Sequence, residues 1–172
     1  MKLKRFSAIA VCSLALLLGG PAASTIIVYN IGLSEAQSVP ANISTATGFA
    51  TVIVDDVLDT VFVSLTFTGL VGGPASAAHI HCCVATNANG PVVIPFLGFP
   101  AATSGTYTNT FTAVSVANII GIEAGLAYIN IHDAVYPGGE IRGNILAAPE
   151  PATLALLGLG LAGLGFVRRK SH

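Results

Sequence analysis

From Thr45 onward, apolar and polar residues alternate with a period of two, the pattern of strands that bury one face. The stretches Thr45–Val54 and Val61–Leu70 show it most cleanly. In the second, Val61, Val63, Leu65 and Phe67 fall on one face, and Ser64, Thr66 and Thr68 on the other. Asp55–Asp59 between them reads as an acidic turn. Five further stretches carry the strand pattern: Ala77–Cys83, Pro91–Leu97, Gly105–Ala113, Leu126–Asp133 and Glu140–Leu146. Tyr136-Pro137-Gly138-Gly139 is a strong turn that folds the last two into a hairpin. Ser115–Ala124 fits one short helix between glycine-bounded strands. Seven short strands with almost no helix predict an all-β domain, a single Greek-key β-sandwich or barrel. Leu65, Phe67, Ile80, Ile129 and Ile131 should form its core.

At both ends the alternation gives way to continuous apolar runs. Lys2, Lys4 and Arg5 precede the run Phe6–Leu18, Gly19-Gly20-Pro21 breaks it, and Ala22-Ala23-Ser24 supplies small residues for a signal peptidase. Residues 1–24 are therefore expected to be a signal peptide; a run this short with small residues behind it fits poorly with a permanent anchor. At the other end Pro149-Glu150-Pro151 leads into the apolar run Ala152–Val167, closed by Arg168, Arg169 and Lys170. Such a run is expected to form an apolar helix, and a basic cluster behind it is held on the cytoplasmic side, so the preceding domain would face outward. The predicted organisation is a signal peptide (1–24), a β domain (25–148) and a tail (149–172).

The chain is 53% hydrophobic and 9% charged, too apolar for an ordinary soluble domain until the two ends are set aside. The β domain is then acidic: seven carboxylates (Glu35, Asp55, Asp56, Asp59, Glu123, Asp133, Glu140) stand against Arg142, a net charge near −6. A domain with one cation cannot supply the clustered Lys and Arg that phosphate contacts need, which excludes nucleic acid. Cys12 leaves with the signal peptide, so Cys82 and Cys83 are the only cysteines of the domain and give no disulfide framework.

Several motifs, in order, resemble a known family. They are Gly32-Leu33-Ser34-Glu35-Ala36-Gln37-Ser38-Val39-Pro40, Ala78-His79-Ile80-His81, Asn89-Gly90-Pro91-Val92-Val93, Tyr128-Ile129-Asn130-Ile131-His132 and Tyr136-Pro137-Gly138-Gly139-Glu140-Ile141-Arg142-Gly143. From about Ile31 to Leu146 they follow the pattern of the CHRD (chordin-type) domain. That resemblance implies an extracellular β domain without an established general activity. The tail Pro149-Glu150-Pro151-Ala152-Thr153-Leu154-Ala155-Leu156 resembles a PEP-CTERM sorting signal. It implies processing by an exosortase-type membrane enzyme, membrane attachment through the tail before that step, and a Gram-negative host that makes exopolysaccharide. Cys82-Cys83 departs from the CHRD pattern, which usually has Gly followed by a small residue or Pro there.

Candidate chemistry lies on two strands. Side chains two apart on a strand share a face, so His79, His81 and Cys83 point one way and Ala78, Ile80 and Cys82 the other. Tyr128, Asn130 and His132 likewise share the outward face of their strand. If the strands are neighbours, His79, His81 and His132 converge into a three-imidazole site with an open fourth position, suited to Zn²⁺ or Cu²⁺. Asp133 or Glu140 could orient a ligand from behind, and Cys83 is a further candidate donor. The layout resembles copper–zinc superoxide dismutase, but that enzyme's bridging and zinc-side ligands and its intrasubunit disulfide have no counterparts here. The competing reading places these histidines as polar surface groups bonded to a neighbouring loop. Adjacent cysteines have Cα atoms only ~3.8 Å apart across a trans peptide, which argues against a disulfide between them. Arg142 is expected to pair with Glu140 along one strand face. No Ser/His/Asp order, paired carboxylate motif or phosphate-cradling glycine loop stands out, so the sequence does not support an enzyme.

The sequence thus predicts a structural or binding module of the cell envelope or extracellular matrix, as in a biofilm, meeting matrix polysaccharide or other surface proteins. That reading needs no cofactor. The alternative is a transition-metal protein holding Zn or Cu on His79, His81 and His132.

Overall fold

A computed structural model describes residues 25–147. The predicted signal peptide (1–24) and the predicted tail, including Pro149, Glu150 and Pro151, lie outside the described residues. Among the described residues there are eight strands: β1 (Ile26–Ser34), β2 (Thr47–Asp55), β3 (Thr60–Thr68), β4 (Ala77–Cys82), β5 (Val92–Pro95), β6 (Gly105–Phe111), β7 (Ala127–His132) and β8 (Ile141–Ile145). One short helix, α1 (Val116–Glu123), lies between β6 and β7. The strands form a single antiparallel sheet in the order β5-β4-β7-β8-β1-β2-β3-β6.

The all-β class is as the alternation predicts, but two features differ. Ile26–Ser34 is an eighth strand, paired with β2 from Ile26↔Asp55 to Ser34↔Thr47. Its first four residues, Ile-Ile-Val-Tyr, are apolar in both phases, so alternation does not mark it. Tyr29, Ile31 and Leu33 point into the core, while Ile26 and Val28 stay exposed. The second difference is layering. The strands do not split into the two sheets of a sandwich; one ladder curls into a nearly closed barrel. Its two edge strands meet through side chains. Phe96, just past β5, stacks on Tyr107 and Phe111 of β6 at 5.0 and 5.7 Å between ring centroids, and the Tyr107 hydroxyl donates to the Leu97 carbonyl. Phe99 stacks on Phe67 at 5.1 Å beside them.

Inside the barrel, Val52, Val54, Val61, Val63, Leu65, Phe67, Ile80, Ile129, Ile131, Ile141 and Ile145 are buried. The β-branched residues among them fit a pleated surface, and their burial is the main favourable term for a domain of this size. Helix α1 caps one end. Ser115 is its N-cap, with Oγ accepting from the Asn118 amide at 3.4 Å, and Ile119 and Ile122 plug the barrel.

Cys82 and Cys83 form a disulfide, S–S 2.02 Å, contrary to the expectation from sterics. That expectation assumed a trans peptide; the bond between them is cis and their Cα atoms are 3.3 Å apart. Both sulfurs lie against α1, where a Cβ on Gly121 would meet them at 2.3 and 2.4 Å, so only glycine fits there.

Candidate metal centre

The register of β4 and β7 decides which outward side chains meet. Ala77 pairs with His132, His79 with Asn130 and His81 with Tyr128. His79 and His81 are thus two residues apart on one strand, and His132 is the diagonal neighbour of His79 on the next. The ring centroids lie 5.5 Å (His79–His81), 5.1 Å (His79–His132) and 6.0 Å (His81–His132) apart. One ring nitrogen from each histidine falls within 4.8 Å of the others. A tetrahedral metal with ~2.0–2.1 Å bonds would hold them about 3.4 Å apart, a gap that small side-chain rotations close.

Loops fold over this outer face and remove it from bulk water. Asn89 Nδ2 donates to the Val39 carbonyl at 2.7 Å, and Asn42 Nδ2 to the Glu140 carbonyl at 2.9 Å. His81 is buried as a result, and His79 and His132 are half-buried.

Two of the three rings are fixed by backbone. His81 Nδ1 lies 2.9 Å from the Gly90 carbonyl and His132 Nδ1 2.9 Å from the Pro137 carbonyl. A carbonyl only accepts, so both Nδ1 atoms carry the proton and each neutral ring keeps its lone pair on Nε2. Those two Nε2 atoms and His79 Nδ1 are buried without a hydrogen-bond partner. The carboxylates do not orient the rings as expected, because they serve the turns. Asp133 Oδ1 accepts from the Val135 and Tyr136 amides at 2.9 and 2.7 Å. Glu140 accepts from Ser44 Oγ and from the Val71 and Gly72 amides.

Electrostatics keeps the imidazoles neutral. Burial, then the neighbouring His132 and His81, lowers the His79 pKa to about 4. Burial also lowers that of His81, helped by His132 and Arg142 and opposed by the Gly90 bond. Burial lowers His132 against the Pro137 bond and the Asp133 charge, which raise it. Neutral rings are the form that ligates.

Behind His81 stands a stack that the sequence did not suggest. Tyr128, on the central strand of β4-β7-β8, lies parallel to His81 at 4.7 Å on one side and carries the Arg142 guanidinium 3.4 Å from its centroid on the other. Arg142 does not pair with Glu140. The strand begins at Ile141, so Glu140 belongs to the preceding turn and faces other loops. The guanidinium donates instead to the carbonyls of Ala88 (3.0 Å) and Thr86 (2.9 Å) and to Asn144 Oδ1 (3.1 Å), tying down loop 83–91 that holds His81. A single arginine in an otherwise acidic domain was the available signal. Cys83 drops out of the donor set, since its sulfur is bonded to Cys82.

Comparison with known families accounts for both parts of the chain. The CHRD domain model matches residues 29–145, and the PEP-CTERM protein-sorting motif matches residues 147–170. Neither the curated proteins nor the solved structures gave a match. The sorting motif indicates an exported protein of the bacterial cell envelope or surface and implies exosortase processing. The domain match spans most of the described residues: the chain belongs to the CHRD domain family.

Proposed function

We propose that the exported barrel is a metal-binding surface module that holds Zn²⁺ or Cu²⁺ on His79, His81 and His132. The observation that carries this reading is the clustering of three histidines, one ring nitrogen of each within 4.8 Å of the others, with a buried partnerless nitrogen on every ring. Buried nitrogens without a partner are costly, and a metal ion would satisfy all three at once. Two of the rings already donate Nδ1–H to a backbone carbonyl, the bond that fixes tautomer and orientation at metal sites. Three neutral ligands leave a fourth position for water or an exogenous donor.

Metal analysis after purification without chelator tests it. About one Zn or Cu per chain is expected, with His132→Ala losing it. Protein that stays metal-free after incubation with both ions and a chelating buffer overturns the reading and leaves the structural module, with matrix polysaccharide or surface proteins as partners. Export into the envelope of a Gram-negative, exopolysaccharide-producing host is the setting we assign to either role.

A further inference from the structure

Both ends of the described chain lie at one end of the barrel. Thr25 donates its amide to Asp56 in the β2–β3 turn, and β8 runs toward the start of β1. Helix α1 and the β2–β3 turn form the surface of that same end, joined by the Val114 amide on the Asp59 carbonyl. Here the apolar residues face outward. Val116 and Ile120, one turn apart on α1, are 59% and 58% exposed, and Leu58 in the turn is 68% exposed. Leu126 and Leu146 extend the patch beyond the C-terminus of the helix, where Leu146 lies against Gly125. Helix α1 is apolar on both its buried and its outer face, a composition that calls for a second apolar partner. Contiguous exposed apolar surface of this kind marks a protein or membrane contact.

We propose that this end of the barrel, α1 and Leu58 foremost, rests on a lipid bilayer while the apolar tail is inserted. Chain length favours lipid over a second protein. Ala147 closes the described chain and the apolar run begins at Ala152, so the connecting residues reach at most ~18 Å. A tail inserted through that tether holds the patch at the lipid surface, where its leucine and isoleucine side chains can enter the headgroup boundary. Asp56, Asp59 and Glu123 sit around the patch and are repelled by anionic headgroups, so zwitterionic lipid is the better partner. The opposite end exposes Ile43, Val71, Leu97 and Val135, each on a separate loop, away from the point where the tail leaves.

The sequence has no tryptophan, so Ile120→Trp places a single indole in the patch and Leu97→Trp one at the far end. Each full-length variant is reconstituted in phosphatidylcholine vesicles with and without brominated acyl chains. The Ile120→Trp variant should lose about half or more of its emission to bromolipid, whereas Leu97→Trp should be nearly unaffected. Replacing part of the lipid with phosphatidylglycerol at low salt should weaken the quenching. Equal quenching at both positions, or a chain that does not bind vesicles, overturns the proposal. So does an Ile120→Trp emission shielded from aqueous iodide but untouched by bromolipid, because a second copy then covers the patch.

Discussion

The three histidines and the buried Glu140 titrate with opposite consequences. The folded-state pKa of each imidazole lies below the usual 6.5, so between those values the unfolded chain binds more protons. The stability they give is present above pH 6.5 and is lost as pH falls through the folded values, His79 last at about 4. Metal retention should follow. It should persist below pH 6.5, where an exposed His site already releases, and fail toward pH 4 in a metal-release titration. Glu140 runs the other way. Burial, then a hydrogen bond with Asp133, raises its pKa against the bonds from Ser44, Val71 and Gly72, which lower it. Its contribution is present at low pH and is lost as pH rises through the raised folded value. Glu140→Gln removes this titration, so in denaturant unfolding the variant's stability should fall less than wild type's as pH rises through the carboxylate range. Glu140→Ala strands the Val71 and Gly72 amides and should cost about 1–3 kcal/mol. A Gln variant with the same pH dependence as wild type would contradict the raised pKa.

At the scale of elements, β3 and its neighbours follow directly from alternation. Phe67, 3% exposed and stacked on Phe99, should cost ~3–5 kcal/mol when changed to Ala, read as a lower urea midpoint. Gly121→Ala should also destabilise, since its Cβ would overlap both sulfurs; an unchanged midpoint would mean that the disulfide or α1 shifts freely. The faces of β4 and β7 were equally legible, because period two assigns His79, His81 and His132 to the outer side whatever the pairing. Which strands pair was not legible. That β4 lies beside β7, across intervening β5, β6 and α1, is a long-range fact that local pattern does not encode. The loops over the outer face were hidden for the same reason, so a polar face that reads as solvent-exposed holds a buried His81 and Arg142. Strand β1 escaped because apolar residues fill both phases at its start.

For the whole molecule, the family matches extend over residues 29–170 with little interruption, and they define an exported protein more sharply than any side chain does. If metal binds only the folded barrel, free ion at a hundred times Kd adds ~2.7 kcal/mol to its stability. A thermal shift with Zn²⁺ or Cu²⁺ that disappears in His132→Ala is the expected result. Processing makes a separate prediction. In a native host, intact mass should give a chain starting near Thr25 and ending near Pro151; a species retaining Arg168–Lys170 would leave a plain C-terminal anchor instead.

The aromatic seam between β5 and β6 sets where the barrel opens first. The other neighbours in the sheet share backbone pairing, in long ladders from β1 through β3 to β6 and in the single pair Ser34↔Arg142 between β1 and β8, whereas Phe96, Tyr107 and Phe111 can part by moving side chains alone. Deuterium should therefore enter the amides along the free edges of β5 and β6 soonest, through local opening, and those of β1 and β2 only on global unfolding. A shared exchange rate across all eight strands would show instead that the rings hold the seam as firmly as a ladder does.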